Sequence, residues 1–217
     1  AMMQILNDIL DVSKIDAGQM KIVPEPIDLR HKLHSCMRLL EPTARQKGLK
    51  FDLFIDDDVP SRVMADPLRL RQILTNLVGN AIKFTARGMV SCRVSVERGP
   101  QLQETLSVAV EDTGIGIPAD RLDAIFREFS QADESTARIY GGTGLGLTIS
   151  NELARMMDGE LLVSSEEGRG SVFTLRLPIQ RADGDRTELA KPPRSERALI
   201  FGRPPRILVA EDHDINQ

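Results

Sequence analysis

The sequence predicts an α+β fold, and three observations lead to this prediction. Apolar residues recur every three to four positions in four segments, as they do along one face of an amphipathic helix. In five other segments apolar and polar residues alternate, which is typical of half-buried β-strands. Residues 141–146 contain four glycines and lead directly into one of the predicted helices.

Composition and charge narrow the class of protein. The chain has 217 residues, enough for one well-buried core with short appendages. Its net charge of −4 argues against a general nucleic-acid binder, which is usually basic. Cys36 and Cys92 are too few for a disulfide framework, which favours a reducing cytoplasm. No apolar run approaches the roughly 18 residues of a membrane span, so we expect a soluble, cytoplasmic chain, cut at both ends.

The first predicted helix ends within residues 16–18. Its apolar residues follow 3-4-3 spacing, which suits either a core-facing helix or the seam of a helical hairpin: Met2, Ile5, Ile9 and Val12. We favour the hairpin, with a partner helix that precedes the chain, because no N-terminal segment remains to cover this stripe.

A second helix is predicted from Leu29 to Ala44, after an extended connector that contains two prolines. It carries His31 and His34, which we interpret as partly exposed structural residues rather than as phosphoacceptors or ligands. The next segment, 49–55, alternates as a strand.

The helix predicted from Leu68 to Phe84 is the most informative one. Asp66 is a suitable N-cap and Pro67 a suitable first residue. One face is apolar, and another carries Gln72, Asn76, Asn80 and Lys83. If that polar face is exposed, it has no particular meaning. If it lines a cleft, the amide oxygens can bind Mg²⁺ and the lysine can contact phosphates.

A predicted hairpin of strands, 90–96 and 106–110, leads into Asp112, Gly114 and Gly116. A carboxylate at a strand end can accept a hydrogen bond from an amino group while the glycines let backbone pass close by. An ordinary Asp-Gly turn is the alternative.

The glycine-rich loop at 141–147 precedes a helical pattern that runs to Met157. Helix N-termini bind anions such as phosphate, so this loop is a candidate phosphate site. It has neither the Walker pattern nor the dinucleotide-binding pattern, and a flexible helix entry is the alternative. The polar segment before it, 131–138, has the composition of a lid.

Two further strands are predicted at 160–164 and 171–177, and they form a second hairpin. Residues 181–205 are predicted to be a linker, and residues 206–212 a strand that ends in two acidic residues.

Five motifs, in order, resemble the N, G1, F, G2 and G3 boxes of the sensor histidine kinases. They are Asn76-x-x-x-Asn80-x-x-Lys83-Phe84-Thr85, Asp112-x-Gly114-x-Gly116, Phe126-x-x-Phe129, Gly142-Thr143-Gly144-Leu145-Gly146-Leu147 and Gly168-x-Gly170-Ser171-x-Phe173. The catalytic domain of that family has the Bergerat ATP-binding fold, also found in gyrase, chaperone and mismatch-repair ATPases. The resemblance implies a two-layer α+β sandwich, with a mixed sheet covered by helices on one face.

The resemblance also implies a domain order. Residues 1–18 look like the second helix of the dimerisation and phosphotransfer hairpin, and 19–180 like the catalytic ATP-binding domain. After the linker at 181–205, residues 206–217 look like the start of a receiver domain. The implied protein is a hybrid sensor histidine kinase, anchored in the bacterial inner membrane only through upstream segments.

Site residues follow from the same resemblance. Asn76, Lys83 and Arg138 would be catalytic, Asn80 would bind Mg²⁺, and Glu211 and Asp212 would be metal-binding acids of the receiver. Asp112 would bind the adenine amino group. Further ATP contacts would come from Gly114, Gly116, Ile117, Phe126, Gly142, Thr143, Gly144, Leu145, Gly146, Leu147 and Thr174.

The resemblance implies ATP and Mg²⁺ as cofactors and phosphoryl transfer to a histidine for relay to an aspartate. Implied partners are a second kinase chain, bound through the hairpin as a homodimer or heterodimer, a receiver domain and a downstream phosphotransfer protein or response regulator, with no nucleic acid. No histidine here lies in a phosphoacceptor motif, so we expect no autophosphorylation of this chain alone. The F box has Arg127-Glu128 where the family usually has an acid and a proline.

Two alternatives remain at this point. An ATPase of the gyrase or chaperone kind would carry a general-base glutamate where Asn76 stands. A regulatory homologue with little kinase activity, acting by binding a partner kinase, would suit the altered F box.

Overall fold

The computed structural model describes residues 2–99, 103–122, 124–126 and 144–182, with side chains from residue 6 onward. The chain divides into two units after residue 185, and all described residues belong to the first. The described helices are α1 (Met2–Asp16), α2 (Leu29–Gln46), α3 (Pro67–Phe84) and α4 (Gly146–Met156), with a short 3-10 helix at Ala119–Arg121. The described strands are β1 (Glu25–Asp28), β2 (Lys50–Ile55), β3 (Arg62–Ala65), β4 (Met89–Arg98), β5 (Glu104–Asp112), β6 (Glu160–Glu166) and β7 (Gly170–Arg181).

These strands form one mixed sheet with the order β1-β3-β7-β5-β4-β2. The β2–β4 pair is parallel and the other pairs are antiparallel. The strand β6 pairs with residues 170–176 of β7, while β3 pairs with the end of β7 at Gln180 and Arg181. The long strands β4, β5 and β7 therefore form the centre of the sheet.

Local chemistry explains where the helices begin and end. Asp28 caps α2 by accepting from the His31 N–H at 2.8 Å, and Asp66 caps α3 by accepting from the Leu68 and Arg69 N–H groups, both at 3.0 Å. Pro67 occupies the first turn of α3, where it loses no hydrogen bond. Gly48 follows α2 with a φ of +68°, which glycine adopts without strain.

The core lies between the helices and one face of the sheet. Leu33 of α2, Leu77 of α3 and Leu153 of α4 are at most 1% exposed, as are Val108 and Leu175 on the strands they cover. The opposite face is open: Arg176 there donates to Glu97 at 2.6 Å and to Glu160 at 2.9 Å. The predicted mixed sheet with helices is confirmed.

Two short strands were not predicted. The connector before α2 contains β1, and β3 lies between the acidic turn and α3. Each has four residues, too few to show an alternating pattern, and Pro26 in β1 is tolerated because β1 is an edge strand.

The first helix has one covered side and one exposed side. Val12 and Ile15 pack against the core, whereas Leu6, Ile9 and Leu10 are about half exposed, at 47–50%. The partner helix of a hairpin therefore stays a prediction. No described helix is both long enough and apolar enough to cross a membrane.

Several predictions fall outside the described residues. These are the lid at 131–138, Phe129 of the F box, the linker from residue 183 and the receiver segment at 206–217.

Candidate functional site

The candidate site begins where α3 meets the N-terminus of α4. Asn76 Nδ2 donates to the hydroxyl of Ser150 at 2.9 Å, and Asn80 Nδ2 lies 3.4 Å from Asn76 Oδ1. Gly146, the first residue of α4, is packed so closely that an added Cβ would overlap Asn76 Oδ1 and lie 3.0 Å from its Cγ. The predicted amide face of α3 and the predicted glycine-loop helix therefore contact each other directly.

The first turn of α4 has the features of an anion site. The N–H groups of Gly146, Leu147 and Thr148 point out of the helix end, because the intrahelical bond from Ile149 N–H to the Leu145 carbonyl is the first one of the ladder. The Thr148 hydroxyl is buried and has no hydrogen-bond partner among the described residues. A buried polar atom without a partner is costly, so a ligand oxygen at this helix end would suit the arrangement.

The C-terminal end of α3 carries a positive charge. The ammonium group of Lys83 lies 4.6 Å from the centre of the Phe84 ring, and partial burial lowers the pKa of Lys83. Lys47 supports this end of the helix, since its Nζ donates to the carbonyls of Ile82 and Lys83 at 2.7 and 2.9 Å. Lys83 therefore lies on a helix end whose last carbonyls are capped.

Asp112 is a buried carboxylate at the end of β5, only 7% exposed. The Gly114 N–H donates to its Oδ1 at 2.8 Å. Burial raises the pKa of Asp112, and the backbone N–H groups of Gly114 and Ser171 partly offset that rise. A buried carboxylate that keeps acceptor capacity is suited to bind an amino group.

The loop after Asp112 requires its glycines for different reasons. A Cβ at Gly114 would lie 2.5 Å from the Phe84 carbonyl oxygen and 2.7 Å from Asp112 Oδ1. Gly116 has a φ of +68°, and a Cβ there would overlap the Glu166 carbonyl on the β6–β7 turn. Gly114 thus joins the end of α3 to Asp112, which links both halves of the site.

Sequence reasoning assigned no site role to Ser171 or Ser165, which lie in the same row of side chains as Asp112. The register pairs Asp112 with Ser171 and Ser171 with Ser165, so the three side chains form a polar row across β5, β7 and β6. The next row on the same face is apolar, with Val110, Phe173 and Val163. Strand alternation from Phe173 would have placed Ser171 on the buried face.

Thr174 requires a correction. It pairs with Ala109 and Leu162, one residue out of phase with the row that contains Phe173. Successive residues of a strand point to opposite faces, so Thr174 lies on the open face of the sheet, away from Asp112. Ser171 occupies the place beside Asp112 instead.

Gln72 also lies elsewhere than the sequence suggested. Its amide donates to Asp11 of α1 at 2.7 Å and accepts from Arg69 at 3.0 Å. The polar face of α3 is therefore divided, with Gln72 at α1 and Asn76 at α4.

The remaining predicted site residues take mixed positions. Leu145 is buried at the start of α4, and Ile117 and Phe126 are half buried against the core. Gly144 has a φ of +71° and Leu147 belongs to the first turn of α4. Arg138, Gly142, Thr143, Glu211 and Asp212 lie outside the described residues.

A family profile described as "Histidine kinase-, DNA gyrase B-, and HSP90-like ATPase" matches residues 65–181, more than half of the chain. The chain belongs to this family. The matched residues include α3, α4 and the strands that carry Asp112 and Ser171. The family predicted from the five motifs is therefore confirmed.

Individual relatives agree with this assignment. The sensor histidine kinase GacS of Pseudomonas protegens is 40% identical over 215 residues, which are 99% of this chain and 23% of GacS. The signal transduction histidine-protein kinase BarA of Escherichia coli is 44% identical over 178 residues, 82% of this chain and 19% of BarA. The chain thus spans about a quarter or less of these curated relatives.

Among solved structures, full-length ShkA in complex with AMPPNP superimposes with a TM-score of 0.74 and 32% identity. The match covers 83% of this chain and 36% of ShkA. The ShkA structure contains the nucleotide AMPPNP.

Proposed function

We propose that this chain is the ATP-binding catalytic region of a hybrid sensor histidine kinase, and that it directs the γ-phosphoryl group of ATP to a histidine on another segment. The observation that carries the proposal is the contact path along α3. This path runs from Gly146 and Ser150 through Asn76 and Asn80 to Phe84, which contacts the Asp112–Gly114 loop. In this proposal Asp112, at one end of the path, accepts from an amino group, and the start of α4, at the other end, binds an anion.

In this proposal Asp112 accepts a hydrogen bond from the adenine amino group. Burial raises the pKa of this carboxyl, and its ionised form has the acceptor oxygens that the amino group needs. Ser171 adds a hydroxyl in the same row.

The triphosphate would lie along α3 towards α4. Between Asn76 and Phe84 the helix rises about 12 Å, at about 1.5 Å per residue. The N–H groups of the first turn of α4 would bind phosphate oxygens, and Lys83 would supply a positive charge.

The residues present fit a magnesium ion held jointly with phosphates. No group of three or more His, Cys, Asp or Glu side chains that could hold a metal is found among the described residues. Asn80 donates its amide N–H to Asn76, which leaves its amide oxygen as a ligand of the type that Mg²⁺ prefers. When bound, the ion would neutralise charge on the transferring phosphoryl group.

Asn76 favours phosphoryl transfer over hydrolysis. In the gyrase and chaperone ATPases that share this fold, a glutamate stands at this position and activates water. An amide cannot accept a proton at neutral pH, so bound ATP should be hydrolysed slowly. The γ-phosphoryl group is then transferred only to a nucleophile held in line with the bond that breaks. The bond to the ADP oxygen breaks as the bond to a histidine nitrogen forms.

The acceptor histidine should come from a helix outside this chain. His31 and His34 are exposed on α2, outside the set of elements that form the site. We further propose that residues 1–18 belong to a dimerising hairpin, that 206–217 begin a receiver domain, and that the partners are a second kinase chain and a phosphotransfer protein or response regulator. Anchoring in the inner membrane would then come from segments outside this chain.

The first experiment is titration with a fluorescent ATP analogue in the presence of Mg²⁺. Asp112→Ala should weaken binding tenfold or more, because a charge-assisted hydrogen bond is worth about 1.5–3 kcal/mol. Glu111→Ala is the matched control, since Glu111 is exposed on the other face of the same strand. Equal affinity of Asp112→Ala and the unmodified chain would contradict the adenine assignment.

The second experiment separates a kinase from an ATPase or a regulatory binding protein. Radiolabelled ATP should leave no acid-labile phosphohistidine on this chain alone. Label should appear on a helical hairpin with a phosphoacceptor histidine, supplied in trans. Strong labelling of the isolated chain would mean that the acceptor is wrong, and binding without any transfer in trans would support the regulatory alternative suggested by Arg127-Glu128.

A further inference from the structure

The Ser165 hydroxyl lies at a junction between three parts of the nucleotide end of the site. It accepts from the Ile117 N–H at 2.8 Å, donates to the Gly170 carbonyl at 2.8 Å and lies 2.9 Å from the Ser171 hydroxyl. These contacts join the loop after Asp112, the β6–β7 turn and the polar row that contains Asp112.

A proton count fixes the direction of each hydrogen bond. A serine hydroxyl has one proton and two acceptor positions. Since the Gly170 carbonyl can only accept, the proton of Ser165 goes there, and its two acceptor positions take the Ile117 N–H and the Ser171 O–H. Ser171 must therefore donate to Ser165, which leaves the lone pairs of Ser171 as acceptors beside the Asp112 carboxylate.

The loop that Ser165 contacts is also held by the neighbouring turn. The Gly168 N–H donates to the Ile115 carbonyl at 2.7 Å, and Gly116 passes so close to the Glu166 carbonyl that a Cβ would overlap it. Ser165 adds a side-chain hydrogen bond to these backbone contacts, by accepting from the Ile117 N–H.

We propose that Ser165 is a positioning residue for recognition of the purine amino group, an inference that rests on the proposed ATP-binding function. Its hydroxyl holds the loop from Thr113 to Ile117 against β6 and orients the Ser171 hydroxyl as an acceptor. Two acceptors, Asp112 and Ser171, then lie side by side for a base that presents a donor. A purine with a carbonyl at the same position would face two acceptors and be rejected.

The test compares Ser165→Ala, Ser165→Thr and the matched control Ser164→Ala. Ser164 is the preceding residue of β6 and is exposed on the opposite face. The dissociation constant is measured for ATP and for purine riboside triphosphate, which lacks the 6-amino group. Hydrogen exchange of the Ile117 amide is measured in parallel.

Loss of the Ser165 hydroxyl should weaken ATP binding roughly three- to tenfold, the range expected for one hydrogen bond. The dissociation constant of purine riboside triphosphate should change less, so the ratio of the two dissociation constants, which measures the preference for the amino group, should decrease. The Ile117 amide should exchange faster in Ser165→Ala. Ser165→Thr keeps a hydroxyl and should restore both the preference and the protection, and Ser164→Ala should behave as the unmodified chain.

The outcomes separate this inference from the proposed function. If the unmodified chain does not bind ATP, the proposed function fails and this inference fails with it. If the chain binds ATP and Asp112→Ala does not, but Ser165→Ala keeps the normal affinity, only the role of Ser165 is overturned. The role of Ser165 would also be overturned if Ser165→Ala bound both nucleotides equally more weakly while the exchange rate of the Ile117 amide stayed unchanged. It would be overturned too if Ser165→Thr bound ATP as weakly as Ser165→Ala.

Discussion

Replacing Gly146 by alanine tests the junction between α3 and α4. In a helix, alanine is usually more stable than glycine by about 0.5–1 kcal/mol, because glycine loses more backbone entropy on folding. At Gly146, however, the new Cβ would overlap Asn76 Oδ1 and lie 3.0 and 3.2 Å from Asn76 Cγ and Nδ2. The Asn76 side chain would have to move away from α4.

The size of the effect follows from what Asn76 would lose. Its bond to Ser150 is worth about 0.5–1.5 kcal/mol, and its long contact with Asn80 adds less. Subtracting the helix gain leaves a change in stability within about 1 kcal/mol of zero. Mg-ATP affinity should instead fall tenfold or more, because Asn76, Asn80 and the first turn of α4 are displaced together.

Gly79→Ala is the matched control on α3. Nothing lies within 4 Å of a Cβ built at Gly79, and it belongs to the same helix as Asn76. This variant should gain about 0.5–1 kcal/mol of stability. Urea unfolding gives the stabilities, and titration with Mg²⁺ and ATP analogue gives the affinities. If Gly146→Ala gains as much stability as Gly79→Ala and binds normally, the close packing of Gly146 on Asn76 is refuted.

Three further predictions concern other parts of the molecule. Burial raises the pKa of Asp112 above its ordinary value of 3.8, so the ionised carboxylate lowers the free energy of unfolding above the raised pKa, and this cost disappears as the pH falls through that pKa. Asp112→Asn should therefore be more stable than the unmodified chain in urea unfolding at pH 7 but not near pH 4. The same variant should lose affinity for ATP. A smaller or equal stability of Asp112→Asn at pH 7 would contradict this. Asp158 has a φ of +57°, so Asp158→Gly should raise stability by up to about 1 kcal/mol in thermal unfolding, with ATP affinity unchanged; a loss of stability would count against backbone strain there. Lys47→Met removes the donor to the last carbonyls of α3 and should lower the free energy of unfolding by about 1 kcal/mol. The control Lys50→Met breaks only the exposed pair with Asp52 and should change it by less than about 0.5 kcal/mol. Equal unfolding midpoints of the two variants would refute the capping role of Lys47.

Much of the fold could be predicted because its signals are local. The Asp66–Pro67 start of α3 and the alternation in β4 and β5 depend on a few neighbouring residues, and the structure has the elements there. The short strands β1 and β3 could not be predicted in this way. The strand β1 pairs with β3, and β3 pairs with the end of β7, which is more than a hundred residues away in sequence.

Some positions of the candidate site depend on local sequence motifs, and others depend on strand register. Asp112 and the amides of α3 are recognisable from their own motifs, and Gly114 packs between Asp112 and the last residue of α3, Phe84. Thr174 and Ser171 differ only in which face of β7 they occupy. That choice follows from the pairing of β7 with β5, in which a shift of one residue exchanges the two faces.

The divided polar face of α3 shows a second limit of periodicity. Helical spacing places Gln72, Asn76 and Asn80 on one side, but it does not say which neighbour covers each turn. In the structure the turn at Gln72 contacts Asp11 of α1, and the next turn, at Asn76, contacts Ser150 of α4. One rigid helix therefore connects the N-terminal helix to the glycine-loop helix through side chains only four residues apart. Because a helix transmits a shift along its axis with little internal change, the position of α1 and the geometry around Asn76 are constrained by the same element.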